Sequence, residues 1–598
     1  MKLFKYGLPF AALALLASCA NDNVGEPSNP NLPLDEDATN VAFNIQMVAA
    51  PGTRVDNAYA DGEAQEYAVR NGHVYIFSAS TGSEADATFV TDAELKVPAD
   101  WSLYGTTTDY VTTTGVVKAN LSNVPTSGNF WIAMVLNYNG TAPAAPAVNT
   151  KFQVWNQTVS NNINYYSFTV NDAEAADNGK TYYTMTSAPS YQGAGNILYM
   201  AKLSSDWVAN HTDDIFAATV YVQRVAAKVT VKAKDGSDYI ITSGAGQNDA
   251  LFSSISDLKW ALDNTESSSY LFQNVCKNNQ AIAVWEGLTQ QITTGNLGRF
   301  YAYANPDLVA HNRIFWCEDP HYSTDLLTGS YSEPEEEAYG DPVAMSGNTV
   351  TAYNAKYCHE NTFDIAHQQK KNTTRVLINA TIVPKDESGA ACNDADKSFF
   401  KNVNNNNIYS TATLAEAIKT ALGAEAVTLT TPTVAGYYHL DELTIMVTHT
   451  GDNQSPVALS SDEILTLIQK LELASDLATS SGSHTENGPL AFYKEGAVYY
   501  PVLLRHFTNS ELDKDNSFYT ETWEMKESGY GEDNDHYLGR YGMVRNNWYD
   551  LTIDAINSIG EPTPPTPDDE WDDDPNEYNI KVSIAILSWA MRTQNETL

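Results

Sequence analysis

Basic residues are scarce in this chain. Its 598 residues hold 34 Lys and Arg against 74 Asp and Glu, a formal net charge of −40. A phosphate backbone would be repelled, which argues against nucleic acid or an anionic lipid surface as partner. Cysteine is also scarce, at five residues. Cys276, Cys317, Cys358 and Cys392 stand far apart, with no C-x-x-C pair and no Cys/His metal spacing. They read as buried or singly paired thiols, and the sequence leaves their pairing open. Beyond the first residues no apolar run is long enough to cross a bilayer. Catalytic motifs are missing too: there is no phosphate-binding loop, no G-x-S-x-G, no H-E-x-x-H and no EF-hand loop. His359-Glu360 beside Cys358, and His484-Thr485-Glu486, read as surface or satisfied loop polarity. Glu335-Glu336-Glu337 reads as a solvated loop. The expectation is a chain that is not an enzyme and takes no cofactor and no metal.

Apolar residues make up 43 % of the chain and charged ones 18 %, too apolar for a disordered chain. The length suggests roughly two to four domains. Helical arrays of Lys and Glu are thin, while Tyr (35) and Trp (11) are plentiful. Short strands recur, at Val74–Phe77, Trp131–Leu136, Val225–Val231, Thr374–Ile382 and Trp548–Ile553. Helices are expected over Thr413–Leu422 and Ser461–Leu477, the second opening on a Ser-Asp-Glu cap. The fold class is therefore all-β with minor helices, in a sandwich architecture. A domain boundary falls near Lys234-Asp235-Gly236, before a Gly/Ser-rich stretch.

The two ends carry the strongest signals. Lys2 and Lys5 precede the apolar run Leu8 to Leu16, and Leu16-Ala17-Ser18-Cys19 follows. This resembles a bacterial lipoprotein signal, in which residues 1–18 are removed and Cys19 becomes the lipidated first residue. A strand pattern comes next, with Val41, Phe43, Ile45 and Met47 on one face. The chain then breaks at Pro51-Gly52 and presents Arg54-Val55; Arg70 is the next arginine. At the other end, residues 561–567 read Glu-Pro-Thr-Pro-Pro-Thr-Pro, and Asp568 to Glu577 contains seven carboxylates. Such a stretch is extended and self-repelling. Past it, Ile580, Val582, Ile584 and Ile586 share the face of a second strand, with Trp589 following. Fully extended, the linker 561–579 spans about 59 Å at ~3.1 Å per residue. That reach suits a neighbouring molecule better than a return to its own domain.

Several segments together resemble the fimbrillins, subunits of the type V pilus of Bacteroidales, and most closely the large subunit of the short (minor) fimbriae. They are Arg224–Val229, Ile255–Trp260, Glu360-Asn361-Thr362, Lys494–Tyr500, Val544–Tyr549 and Ile584–Trp589. Ser588 departs from the pattern, where a Pro commonly precedes the Trp. The resemblance spans the chain nearly end to end.

It implies two β-sandwich domains of transthyretin-like type, over 55–235 and 236–560, flanked by a removable propeptide (19–54) and a linker with donor strand (561–598). The precursor would be an outer-membrane lipoprotein. A secreted Arg-specific protease would cut between Arg54 and Val55, removing the strand with Val41, Phe43, Ile45 and Met47. The Ile580–Trp589 strand of an identical subunit would fill the groove left behind. Having acceptor groove, cleavage site and donor tail, the chain reads as a stalk pilin of a surface fimbrium. Its further partners would be tip and anchor subunits and host or bacterial adhesion targets, in support of adhesion and biofilm formation. Two alternatives stand beside this: a non-polymerising surface lipoprotein that binds glycans or host proteins, and an anchor subunit of the same pilus.

Overall fold

The structure, a computed structural model, describes residues 39–48, 64–97, 111–121, 127–160, most of 167–233 and 252–275, most of 314–323, 343–344, 355–450, most of 451–474, 488–506, most of 538–567, and 580–588. The first unit is built from β1 (Thr39–Val48), β2 (Gly72–Ala79), β3 (Thr88–Lys96), β4 (Val111–Leu121), β5 (Asn129–Leu136), β6 (Met185–Ser187) and β7 (Ala218–Arg224). These strands pair in the order β5-β2-β3-β4-β1-β7-β6, and β6 pairs again with β5. The sheet thus curls until it closes, which removes its open edges.

Alternation explains why β2 and β5 are apolar on both faces. Val74, Ile76, Ile132 and Met134 point into the barrel core with Phe43, Val117, Val220 and Val222. Tyr75, Phe77, Trp131 and Ala133 point outward. There they meet α2 (Phe152–Ser160), through Phe152 and Trp155, and residues of the second half such as Leu271, Phe272, Trp316 and Val544. A strand buried on both faces reads as a continuous apolar run.

The second unit is a sandwich. One sheet holds β8 (Ala227–Ala233), β10 (Lys356–Cys358), β13 (Asn547–Ile556) and β14 (Ile580–Ser588), in the order β10-β8-β13-β14. The facing sheet is formed by β9 (Phe252–Asp263), β11 (Arg375–Pro384) and β12 (Ala497–Leu503), with the short strand Val343–Ala344 at its edge. Val229, Trp260, Ile378, Val498, Tyr549 and Leu551 fill the space between. A lobe inserted between β11 and β12 carries α3 (Thr411–Leu422) and α4 (Ser461–Lys470) around a core of its own. Ser410 and Ser460 cap these helices with full capping boxes. The second cap is one residue earlier than the sequence suggests, and α4 stops at Lys470, short of Leu477.

The chain changes sheets sooner than composition indicates. Val225 and Ala226 form a bend, and β8 beyond it pairs with β13 and β10 of the second unit. The segment Val225–Val231, which reads as one strand, is therefore a crossover, and the second sheet begins before the expected boundary at Lys234–Gly236.

Candidate functional site: a strand groove and its junction

β1 lies inside the closed sheet, not at an edge. It runs antiparallel to β4, from Thr39 opposite Leu121 to Met47 opposite Thr113. It runs parallel to β7, with Phe43 opposite Ala218, Ile45 opposite Val220 and Met47 opposite Val222. Both its backbone edges are thus used. Phe43 is fully buried against a floor that includes Val117, Ala119, Val220 and Val222. Val41, Ile45 and Met47 stand at alternate positions of the strand with it. Taking β1 away would leave a slot one strand wide, lined by buried aliphatic side chains and two unpaired backbone edges.

The second predicted strand has one neighbour. β14 pairs antiparallel with β13 of its own chain, Ile584 opposite Leu551 and Ile586 opposite Tyr549, and it ends the sheet. Ile580, Val582, Ile584 and Ile586 stand at alternate positions along it. The sequence favoured a strand held away from its own domain, but here it closes the edge of its own sandwich. The linker is not free along its whole length either. Glu561 and Tyr499 exchange both backbone hydrogen bonds at 2.9 Å. The Tyr437 hydroxyl donates to the Glu561 carboxylate. Arg375, held by Asp263 at 2.5 Å, donates to the Pro565 carbonyl at 2.5 Å. Fully extended, the residues 566–579 would span about 43 Å at ~3.1 Å per residue. Cys19, Arg54, Val55 and Trp589 lie outside the described residues.

Where the two units meet, charged groups are buried. The short helix α1 (Ala64–Tyr67) brings in Glu66, 1 % exposed. Its carboxylate accepts from Lys228 Nζ at 2.7 Å and from the Tyr357 hydroxyl at 2.5 Å, and its carbonyl accepts from Arg224 Nε at 2.6 Å. Lys228 also stands over the Trp548 ring, 4.1 Å from its centre. Burial alone would raise the Glu66 pKa; Lys228 and Arg224 outweigh it and hold the carboxyl below its usual value. Nearby, Arg545 grips Glu360 with two nitrogens and donates to the Leu271 carbonyl at 3.0 Å. The side chains of Arg545 and Glu360 are both fully buried. His359, on the other side of that pair, bonds Ser269 Oγ at 3.0 Å; burial and the Arg545 charge push its pKa down to about 4.

So the cluster Cys358-His359-Glu360 is interior, where the sequence suggested surface or loop. Cys317, Cys358 and Cys392 are buried free thiols, and burial raises the pKa of Cys317 and Cys358. Such thiols are poor nucleophiles. His484–Glu486, Glu335–Glu337 and Cys276 fall outside the described residues. Glu66 had no signal of its own in the sequence. The one hint was that Arg224 and Lys228, two bases in an apolar strand, needed a buried anion.

Residues 518–595, which carry Arg545, β13, the linker and β14, match the family model of the C-terminal region of fimbrillin, major fimbrial subunit protein type IV. The C-terminal region is thus that of a fimbrillin. That family is one of structural fimbrial subunits. The chain is also similar to solved structures from Parabacteroides distasonis. Two are candidate cell adhesion proteins. One is 9 % identical, covering 93 % of this chain and 99 % of that one, with a TM-score of 0.35. The other is 11 % identical, covering 92 % and 99 %, with a TM-score of 0.31. A fimbrial assembly protein is 12 % identical, covering 60 % and 84 %, with a TM-score of 0.22. No curated protein matches the chain.

Proposed function

We propose that this chain as a whole is a fimbrillin and a stalk subunit of a surface fimbria, of the kind that forms short fimbriae, matured after Arg54 and polymerised by donor-strand exchange in support of adhesion and biofilm formation. In this reading it travels as a lipoprotein anchored through Cys19 and loses lipid and β1 together. The observation that carries the proposal is the place of β1: an interior strand, paired on both sides, supplied by the segment that precedes Arg54.

β14 then has two hosts. On its own β13 it makes one hydrogen-bonded ladder; in the slot between β4 and β7 of a neighbour it would make two. Each added backbone bond contributes about 0.5–1.5 kcal/mol net, so a strand of nine residues gains by moving. Main-chain pairing supplies the affinity and the alternating Ile and Val side chains supply the register. Donor and acceptor are different surfaces, so the contact is heterologous and builds an open filament. Pairing with β13 is the resting place of the tail before a slot is offered.

Truncation after Pro567 tests this, because it keeps the docked linker and removes β14. Processed subunits of that variant should stay monomeric by light scattering; fibres or ladders from it would sink donor-strand exchange. Arg54→Ala should keep the precursor lipidated and membrane-held, as read by mass spectrometry of its N-terminus.

A further inference from the structure

Two arginines follow the first strand, and their sequence surroundings do not choose between them. The structure describes the second. The Arg70 side chain is exposed. Its main chain is closed. Val69 before it is 4 % exposed and belongs to the barrel core. The Arg70 N–H donates to Asn137 Oδ1 at 2.8 Å, while Asn137 Nδ2 donates to the Ala68 carbonyl at 2.8 Å. The Asn137 N–H donates to the Asn71 carbonyl at 2.9 Å, and Asn71 exchanges two more bonds with the Tyr138 backbone at 2.9 and 3.0 Å. Gly72 then enters β2 so tightly that a Cβ there would meet Leu136 and Leu95 at 2.7 Å. A peptide bound by β-strand addition must offer its backbone groups to the partner. Around Arg70 the Ala68 carbonyl, the Arg70 N–H and the Asn71 carbonyl are already in use.

What holds this stretch from the other side is α1. Glu66 stands four positions before Arg70 and is tied to Lys228, Arg224 and Tyr357. These three partners sit on β8, on β7 and on β10: the carboxylate takes Lys228 and Tyr357 and the carbonyl takes Arg224, so one residue joins both units. A cut at Arg70 would carry Glu66 away and leave the Lys228 ammonium buried without its anion, a costly state. A cut before Ala64 leaves the whole cluster intact. Between Val48 and Ala64 the single basic residue is Arg54.

We infer that Glu66 is a latch: it keeps α1 in the interdomain junction of the processed subunit and keeps the Arg70–Asn71 bond closed to proteolysis. The inference rests on the leader-removal reading above, and it makes the two arginines unequal. The full precursor, treated with an arginine-specific endoprotease and read by N-terminal mass spectrometry, provides the test. The wild type should yield a chain starting at Val55 and none starting at Asn71. Cutting at Arg70 as fast as at Arg54 would overturn the latch. Glu66→Gln should raise cutting at Arg70 at least tenfold; an unchanged rate would also overturn it. Tyr357→Phe removes one hydrogen bond and leaves the charges, so it should raise the rate less, in the same direction, if Glu66→Gln does not fold. A wild type resistant at Arg54 would instead overturn the leader-removal reading, while the Arg70 rates still decide on the latch.

Discussion

Phe43 and Glu66 belong to segments on either side of Arg54, and that difference is measurable. Phe43 is fully buried in the barrel through β1. Truncating a buried Phe costs about 3–5 kcal/mol. Phe43→Ala should therefore destabilise the precursor by about that much in chemical denaturation, yet leave the processed subunit unchanged. An equal loss in both forms would mean that β1 is never removed. Glu66 stays with the processed chain. Its pKa is depressed in the fold, so its contribution is present above the unfolded value and is lost as pH falls through the folded one. The stability difference between wild type and Glu66→Gln should be largest at neutral pH and shrink once pH drops below the ordinary Glu range. The comparison must be a difference, because Glu84 works the other way. Burial raises its pKa to about 8, against the pull of the Tyr199 and Met200 N–H groups, so its own penalty fades in acid. His359, held neutral down to about 4, adds a loss in acid that is common to both proteins and cancels.

At the scale of elements, the alternating strands were readable because a period of two is a local property. β1 and β14 both stand where Val41–Val48 and Ile580–Ile586 announce them. The helices α3 and α4 were readable for the same reason, through their caps and apolar spacing. Partners were not. Nothing in Val41–Val48 tells an edge strand from an interior one, and the pattern that made β14 look like a strand for export fits its own β13 equally well. The crossover at Val225-Ala226 was hidden because the residues on either side of the bend are apolar and continuous. Of the site, the two strands were legible; the Glu66 cluster was not. Its members lie 162 and 291 positions apart in the chain.

For the whole molecule, the net charge of −40 becomes a property of assembly. Subunits of one sign repel as they approach, and salt screens this over about 30 Å at 0.01 M and about 10 Å at 0.1 M. Polymerisation of processed subunits, followed by light scattering, should be slower at 0.01 M than at 0.1 M salt. The opposite order would mean that ion pairs between subunits govern the encounter. The buried charges play a separate part. Glu66 with Lys228 joins the barrel to the sandwich, Arg545 with Glu360 lies within the second unit close by, and the apolar layer of Trp155, Phe272 and Trp316 packs where the units meet. A buried pair of this kind is weak as a source of stability but costly to break. It sets how the two units sit against each other.

The sequence alone determined what depends on near neighbours: export-type residues at Met1 to Cys19, two apolar alternating strands, capped helices, and a Pro- and Asp-rich linker. Tertiary structure decided what depends on distant ones. It placed β1 between two strands and β14 beside one, docked the linker as far as Pro565, and buried a carboxylate that closes Arg70. The reason is physical. Alternation and capping are energies within a few residues, whereas a groove, a latch and an edge exist only once segments hundreds of residues apart have paired.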